Sequence, residues 1–171
     1  TVKEGEKIAI VGRTGSGKST LAHLLLRVYD VNKGSIQYEG TDVRDISLAS
    51  LRTQAGYVPQ EVFLFSDTIK NNIRFANAGA SDEEVYQAAR QASIFNDIAS
   101  FHLKFETLVG ERGVTLSGGQ KQRISIARAL LKKPELVILD DCLSAVDTAT
   151  EKEILGNLYG YLQNRTAIII T

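Results

Sequence analysis

The chain has 171 residues, 43% of them hydrophobic and 23% charged, with 20 basic side chains set against 20 acidic ones, which is the balance of a globular domain with one core. A formal net charge of zero provides no global field to hold nucleic acid or an anionic membrane, so phosphate binding would have to come from a local site. The longest apolar runs, Leu24 to Leu26, Leu136 to Leu139 and Ala167 to Ile170, fall far short of the roughly 20 residues that cross a bilayer.

In chain order, Thr1-Val2-Lys3-Glu4-Gly5 has neither an initiator Met nor a signal pattern, and Thr171 follows directly on an apolar run. The sequence therefore reads as a piece of a longer polypeptide. Glu6 to Val11 is a short β-branched run entering a glycine-rich stretch, after which Leu21, Leu24, Leu25 and Val28 recur at helical spacing; this predicts strand, loop, helix. Turn signals at Lys33-Gly34 and Glu39-Gly40 flank the run Ser35 to Tyr38, and Ala55 to Val58 is a brief strand stopped by Pro59. Ser81-Asp82-Glu83-Glu84 has the residues of a capping box, with Val85, Ala88, Ala89 and Ala92 on one helical face. A largely helical segment is predicted between Glu61 and about Lys133. Its last helix opens after Ser117-Gly118-Gly119, turns Ile124, Ala127 and Leu131 inward, and ends at Lys132 and Lys133 before Pro134. Strand character returns in Leu136 to Leu139 and Ala167 to Ile170. Near-continuous apolar strands alternating with helices predict a parallel sheet covered on both faces.

Gly12-Arg13-Thr14-Gly15-Ser16-Gly17-Lys18-Ser19 fits G-x-x-x-x-G-K-[ST] and lies between the predicted strand and helix. The glycines let backbone fold closely around oxygen atoms, so that N–H groups and the positive helix end meet phosphates. Lys18 would reach the β- and γ-phosphates as a point charge, and the Ser19 hydroxyl would ligate Mg²⁺. The alternative is a glycine turn that only joins strand to helix. An acidic residue at the end of another parallel strand should complete such a site, and Leu136-Val137-Ile138-Leu139-Asp140 supplies it. Asp140 is placed to hold the Mg²⁺ shell. Asp141 puts a second carboxylate beside the first, which is awkward unless a cation or a water chain needs it; it is assigned to the attacking water.

Leu116-Ser117-Gly118-Gly119-Gln120 offers a second anion site, a serine and two glycines at a helix N-terminus, unless Ser117 is only a cap. Together with the phosphate loop and the strand-end aspartate, this run resembles the nucleotide-binding domain of ATP-binding cassette proteins, and the resemblance extends over essentially the whole chain. It implies a phosphate-loop NTPase fold: an α/β three-layer core with a mostly parallel sheet, formed by residues 1–60 and 134–171, and an inserted α-helical signature subdomain over residues 61–133. It implies ATP on Gly12 to Ser19 and Thr20, with Mg²⁺ held by Ser19, Gln60 and Asp140, the last through water. Gln60 resembles the family's Q-loop glutamine, which also senses the transmembrane partner. Ser144-Ala145-Val146-Asp147 resembles the D-loop, with Ser144 and Asp147 at a dimer interface. Thr107 to Gly113 is similar to the segment that exporter-type members press against their coupling helices. The family's solution to two phosphate-binding surfaces is a head-to-tail dimer, in which Leu116 to Gln120 face the nucleotide on the partner's loop.

The chain departs from the family pattern at Asp141, where Glu is usual. One methylene withdraws the carboxylate by on the order of 1 Å, and a misplacement of that size slows a reaction by about 10²-fold. The expectation is a slow or ATP-holding site in an asymmetric dimer, with the intact signature of this chain completing a competent site on a partner that carries Glu, or else an unusual homodimer. The family's adenine-stacking aromatic and switch histidine would lie outside the chain, and neither His23 nor His102 is assigned to the switch; both read as structural. Cys142 reads as a packing residue, and Lys121-Gln122-Arg123 as facing solvent or the partner.

The resemblance implies an ATPase part of an exporter, with Lys18, Gln60 and Asp141 in the catalytic roles and ATP and Mg²⁺ as cofactors. The implied partners are a second nucleotide-binding domain and a transmembrane domain, with no nucleic acid and no direct membrane insertion. The implied place is the cytoplasmic face of the cell's inner membrane. A soluble cassette ATPase and a non-hydrolysing ATP clamp stand as alternatives; the first is weakened because no heptad array separates Lys18 from Ser117.

Overall fold

A computed structural model describes residues 1–110, 113–143 and 148–171. Strand β1 (Lys7–Ile10) leads through the glycine-rich loop into helix α1 (Lys18–Leu25). A two-stranded antiparallel ribbon follows, β2 (Gln37–Tyr38) and β3 (Thr41–Asp42). Its turn residues Glu39 and Gly40 both have positive φ, 50° and 77°, the geometry that matches the twist of the flanking strands. The run expected from Ser35 thus narrows to two paired residues before the turn. Helix α2 (Leu48–Gln54), capped by the Ser47 side chain, runs directly into β4 (Ala55–Val58).

The middle of the chain is helical, as its periodicity predicts: α3 (Ile69–Arg74), α4 (Asp82–Gln91), α5 (Phe95–Ser100), a 3₁₀ turn at Lys104–Glu106 and α6 (Gly118–Leu131). Val85, Ala88, Ala89 and Ala92 are all buried, as are Ile124, Ala127 and Leu131. The chain then returns to the sheet with β5 (Leu136–Asp140), crosses through α7 (Thr148–Leu162) and ends in β6 (Thr166–Ile170). Among the described residues no helix is long and apolar enough to cross a membrane.

The sheet is parallel throughout, in the order β1-β6-β5-β4. Successive side chains of its strands point to opposite faces, and both faces are covered. Val58, Val137, Leu139 and Ala167 enter the larger core cluster with residues of α3, α4, α6 and α7. Ile138, Ile168 and Ile170 enter a smaller cluster with Ala22 and Leu26. This is why β5 and β6 read as continuous apolar runs rather than alternating ones.

Helix α1 turns only part of its leucine stripe inward, Leu25 packing against the smaller cluster. Ala22 and Leu26 are buried, whereas Leu21 and Val28 are exposed. Arg27, with φ 49°, ends the helical path just past the cap residue Leu26. The inward stripe at i, i+3, i+4 and i+7 is Ser19, Ala22, His23 and Leu26, and two of its members are polar because they face Asp140 and Tyr57 rather than an apolar core.

Candidate nucleotide and cation site

The loop before α1 is built for close approach. Gly15 and Gly17 take φ of 81° and 89°, and a Cβ built on either would meet no atom within 4 Å. Side chains of Ser47, Thr68, Ser81 and Ser117 cap the helices that follow them, but α1 opens from Gly17 with no side-chain cap. Its first-turn N–H groups are thereby left for an anion. Lys18 is folded over the loop, its Nζ donating to the carbonyls of Gly12 at 2.6 Å and Arg13 at 3.2 Å. Arg13, Thr14, Ser16 and Thr20 are exposed around it.

The parallel sheet brings the C-terminal ends of β1 and β5 to the same edge, and there the predicted acidic residues meet the loop. Asp140 is 2% exposed. Its Oδ1 accepts from Ser19 Oγ at 3.1 Å, and its Oδ2 accepts from the Tyr57 hydroxyl at 3.1 Å. Asp141 follows with φ 45°, its Oδ2 accepting from Gln60 Nε2 at 2.9 Å and its N–H donating to Ile170 O at 2.9 Å. Ser19, Gln60, Asp140 and Asp141, scattered in sequence, are therefore neighbours. A hydroxyl, a buried carboxylate and a glutamine amide form an all-oxygen donor set of the kind that suits a hard cation such as Mg²⁺.

Tyr57 is the member of this cluster that sequence patterns did not single out. Burial first, and then the Asp140 charge, push its hydroxyl above the ordinary range, so it remains a donor. His23 stands beside it, Nε2 3.4 Å from the hydroxyl, in the structural role expected of it, and His102 lies on the surface. Cys142 is buried, its thiol pushed up to about 12 chiefly by that burial, which accords with packing rather than reactivity.

The signature residues lie at the start of α6. Ser117 Oγ accepts from the Gln120 N–H at 3.2 Å while Gln120 Oε1 accepts from the Ser117 N–H at 3.0 Å, a complete capping box. Gln120 Nε2 and the Arg123 guanidinium both donate to Asp97 on α5, at 2.9 to 3.1 Å. Leu116 is buried and anchors the run in the core. Ser117 and Gln120 thus bond to each other and to Asp97. Lys121 faces solvent as expected, but Gln122 is buried and Arg123 is tied to Asp97, because this side of the helix packs inward. Thr107 to Val109 run beside Asp67–Ile69, the Thr107 carbonyl accepting from Ile69 N–H and Val109 N–H donating to the Asp67 carbonyl. Ser144, Asp147, Glu111 and Arg112 lie outside the described residues.

Just beyond Gln60, Phe63, Phe65 and Phe75 form an exposed aromatic group, with ring centroids 5.1 Å and 4.4 Å apart along the chain of contacts. Beside it a cleft of about 440 Å³ is lined by Leu26, Arg52, Tyr57, Phe75, Arg128 and Lys132.

The family model described as ABC transporter matches residues 1–144. The chain is 47% identical over 169 residues to "ABC transporter B family member 24, mitochondrial" of Arabidopsis thaliana, covering 99% of this chain and 25% of that protein. It is 48% identical to "Heavy metal tolerance factor 1" of Caenorhabditis elegans, covering 99% of this chain and 21% of that one. A solved structure of a bacterial Atm1-family ABC exporter with ATP bound superposes with a TM-score of 0.94 at 46% identity, over 98% of this chain and 30% of that chain. The chain belongs to the ABC transporter family, as a nucleotide-binding domain of the exporter type. It spans a fifth to a quarter of the length of the curated relatives it matches.

Proposed function

We propose that this chain binds MgATP on Gly12–Thr20, closes head to tail on a second nucleotide-binding domain, and hydrolyses the nucleotide slowly to drive export across a membrane. The observation that carries the reading is the pair of adjacent carboxylates, Asp140 bonded to Ser19 and Asp141 bonded to Gln60. In this mechanism Lys18 leaves its loop carbonyls for the β- and γ-phosphates. Ser19, Gln60 and Asp140 would hold the cation, which would supply positive charge against that developing on the phosphoryl oxygens. Asp141 orients the attacking water, and Ser117 to Gln120 of one domain meet the nucleotide of the other. Ser144 and Asp147 belong to that interface in the same reading. Residues 1–60 and 134–171 form the ATP-binding core and residues 61–133 the signature-bearing subdomain. The exposed aromatic group at Phe63, Phe65 and Phe75, next to Gln60, is the surface offered to the transmembrane partner. The proposed location is the cytoplasmic face of the cell's inner membrane, a mitochondrial membrane being the alternative that the name of the Arabidopsis relative brings in.

The test is Asp141→Glu in the intact assembly. Restoring the missing methylene should raise ATP turnover at this site by up to about 10²-fold. Unchanged turnover would mean that carboxylate reach is not the limit. The short side chain also favours a second reading, a domain that uses ATP as a clamp. Single-turnover assays separate the two: no phosphate released over hours from the native site supports the clamp.

A further inference from the structure

Helix α1 and the sheet meet at four polar side chains that form a closed arrangement. Tyr57 on β4 lies opposite Ile138 on β5, and Asp140 is two residues on, so the tyrosine ring and the carboxylate share the face covered by α1 and are diagonal neighbours within reach of a long side chain. On α1, Ser19 and His23 are one turn apart on the inward face. Ser19 meets Asp140, and His23 meets Tyr57, its ring edge-on at a centroid distance of 6.1 Å. The hydroxyls of Ser19 and Tyr57 thereby donate to the two different oxygens of one buried carboxylate.

We propose that Tyr57 is a positioning residue for the cation site: its hydroxyl fixes the plane of the Asp140 carboxylate that Ser19 holds by one oxygen only. With a single donor, the carboxylate could rotate about its Cβ–Cγ bond. With two, each oxygen keeps a defined lone-pair direction toward the cation's water shell, which is how outer partners tune a ligand they do not share. His23, with Nε2 3.4 Å from the Tyr57 hydroxyl, is the second polar neighbour of that group. The inference rests on the MgATP reading above.

The experiment is equilibrium binding of a fluorescent ATP analogue to the intact protein, in EDTA and in Mg²⁺, for the native protein, Tyr57→Phe, Asp140→Asn and the double variant. Phenylalanine keeps the ring and removes the donor. Tyr57→Phe is expected to leave affinity in EDTA unchanged and to reduce the Mg²⁺-dependent gain by about tenfold, with a matching rise in half-saturating Mg²⁺. In the Asp140→Asn background the same substitution should change nothing further, because both act through one carboxylate. Equal losses with and without Mg²⁺, additive losses in the double variant, or an unaltered gain in Tyr57→Phe would each overturn the role assigned to Tyr57. Absence of any Mg²⁺-dependent gain in the native protein would overturn the cation reading itself.

Discussion

At position 17 glycine is required by backbone conformation and not by space. Its φ is 89°, and a built Cβ would meet nothing within 4 Å, so an alanine there carries left-handed strain of roughly 1–2 kcal/mol, partly offset by a stiffer unfolded chain. Gly12 is the opposite case: a Cβ would lie 2.9 Å from Ser16 Oγ, the end of a short side chain that can rotate away. Urea unfolding of the ligand-free protein should therefore show Gly17→Ala losing about 1 kcal/mol and Gly12→Ala losing less; the reverse order would sink this account of the loop. Asp141 also has positive φ, 45°, a region in which Asp is several-fold enriched over bulkier residues. The Glu variant proposed above gains reach but inherits that backbone, so its thermal midpoint belongs beside its turnover. Lys18, Ser19, Asp140 and Asp141 stand in short motifs that track backbone geometry, and Gln60 is named through the family resemblance; the fold brings Ser19 to Asp140 and Gln60 to Asp141. Tyr57 and His23 could not be read in this way. Their contact depends on the register of β4 against β5 and on the rotation of α1, which no short pattern records.

At the scale of single elements, α4 shows how a helix start is tied to the rest of the fold. Ser81 and Glu84 satisfy each other's N–H groups, and Lys133, past the end of α6, donates to Glu84 Oε1 at 2.8 Å. The Lys133 bond first, and then the Ser81 backbone and hydroxyl, hold the Glu84 carboxyl down at about 2 against its ordinary 4.5. Because the folded value is the lower one, ionised Glu84 favours the fold above about pH 4.5, and that contribution is lost as pH falls from there toward 2. Glu84→Gln should flatten the fall of the thermal midpoint across this window, followed by circular dichroism. Parallel lines for the two proteins would remove Glu84 from the acid response. The capping box was legible because its residues are contiguous. Helix α2 was not, since Ser47 caps only seven residues, Leu48–Gln54, too few to establish a period. On α1 apolar recurrence marks the helix and Leu25, which packs against the smaller cluster, but it carries no sign that Ser19 and His23 also face inward.

For the whole molecule, the decisive contact is the seat of α6 on the sheet. This helix of 14 residues, about 21 Å long, carries the signature at one end and meets β4 at the other. There Gly56, paired with Val137, admits no side chain: a Cβ would lie 2.7 Å from Pro134 Cγ and 3.1 Å from the backbone carbonyl of Ala129. The larger core cluster runs unbroken from Val58 and Val137 in the sheet to Ile124 and Leu130 in α6, so the helix has little room to retreat. The Pro134 ring can shift, but the Ala129 carbonyl is backbone of the last turn of α6 and moves only with that turn. Gly56→Ala is therefore an overpacking change, and it should lower the unfolding free energy by about 1–3 kcal/mol in urea titrations. The same contact fixes where the far end of a stiff rod points, so, on the head-to-tail reading proposed above, the variant should impair nucleotide-driven pairing of two domains more than it impairs binding of ATP to one. Analytical ultracentrifugation of the intact protein with and without nucleotide, set beside single-site binding, measures both. A stability change within about 0.3 kcal/mol would show that the end of α6 yields locally and that Gly56 does not set the position of the signature.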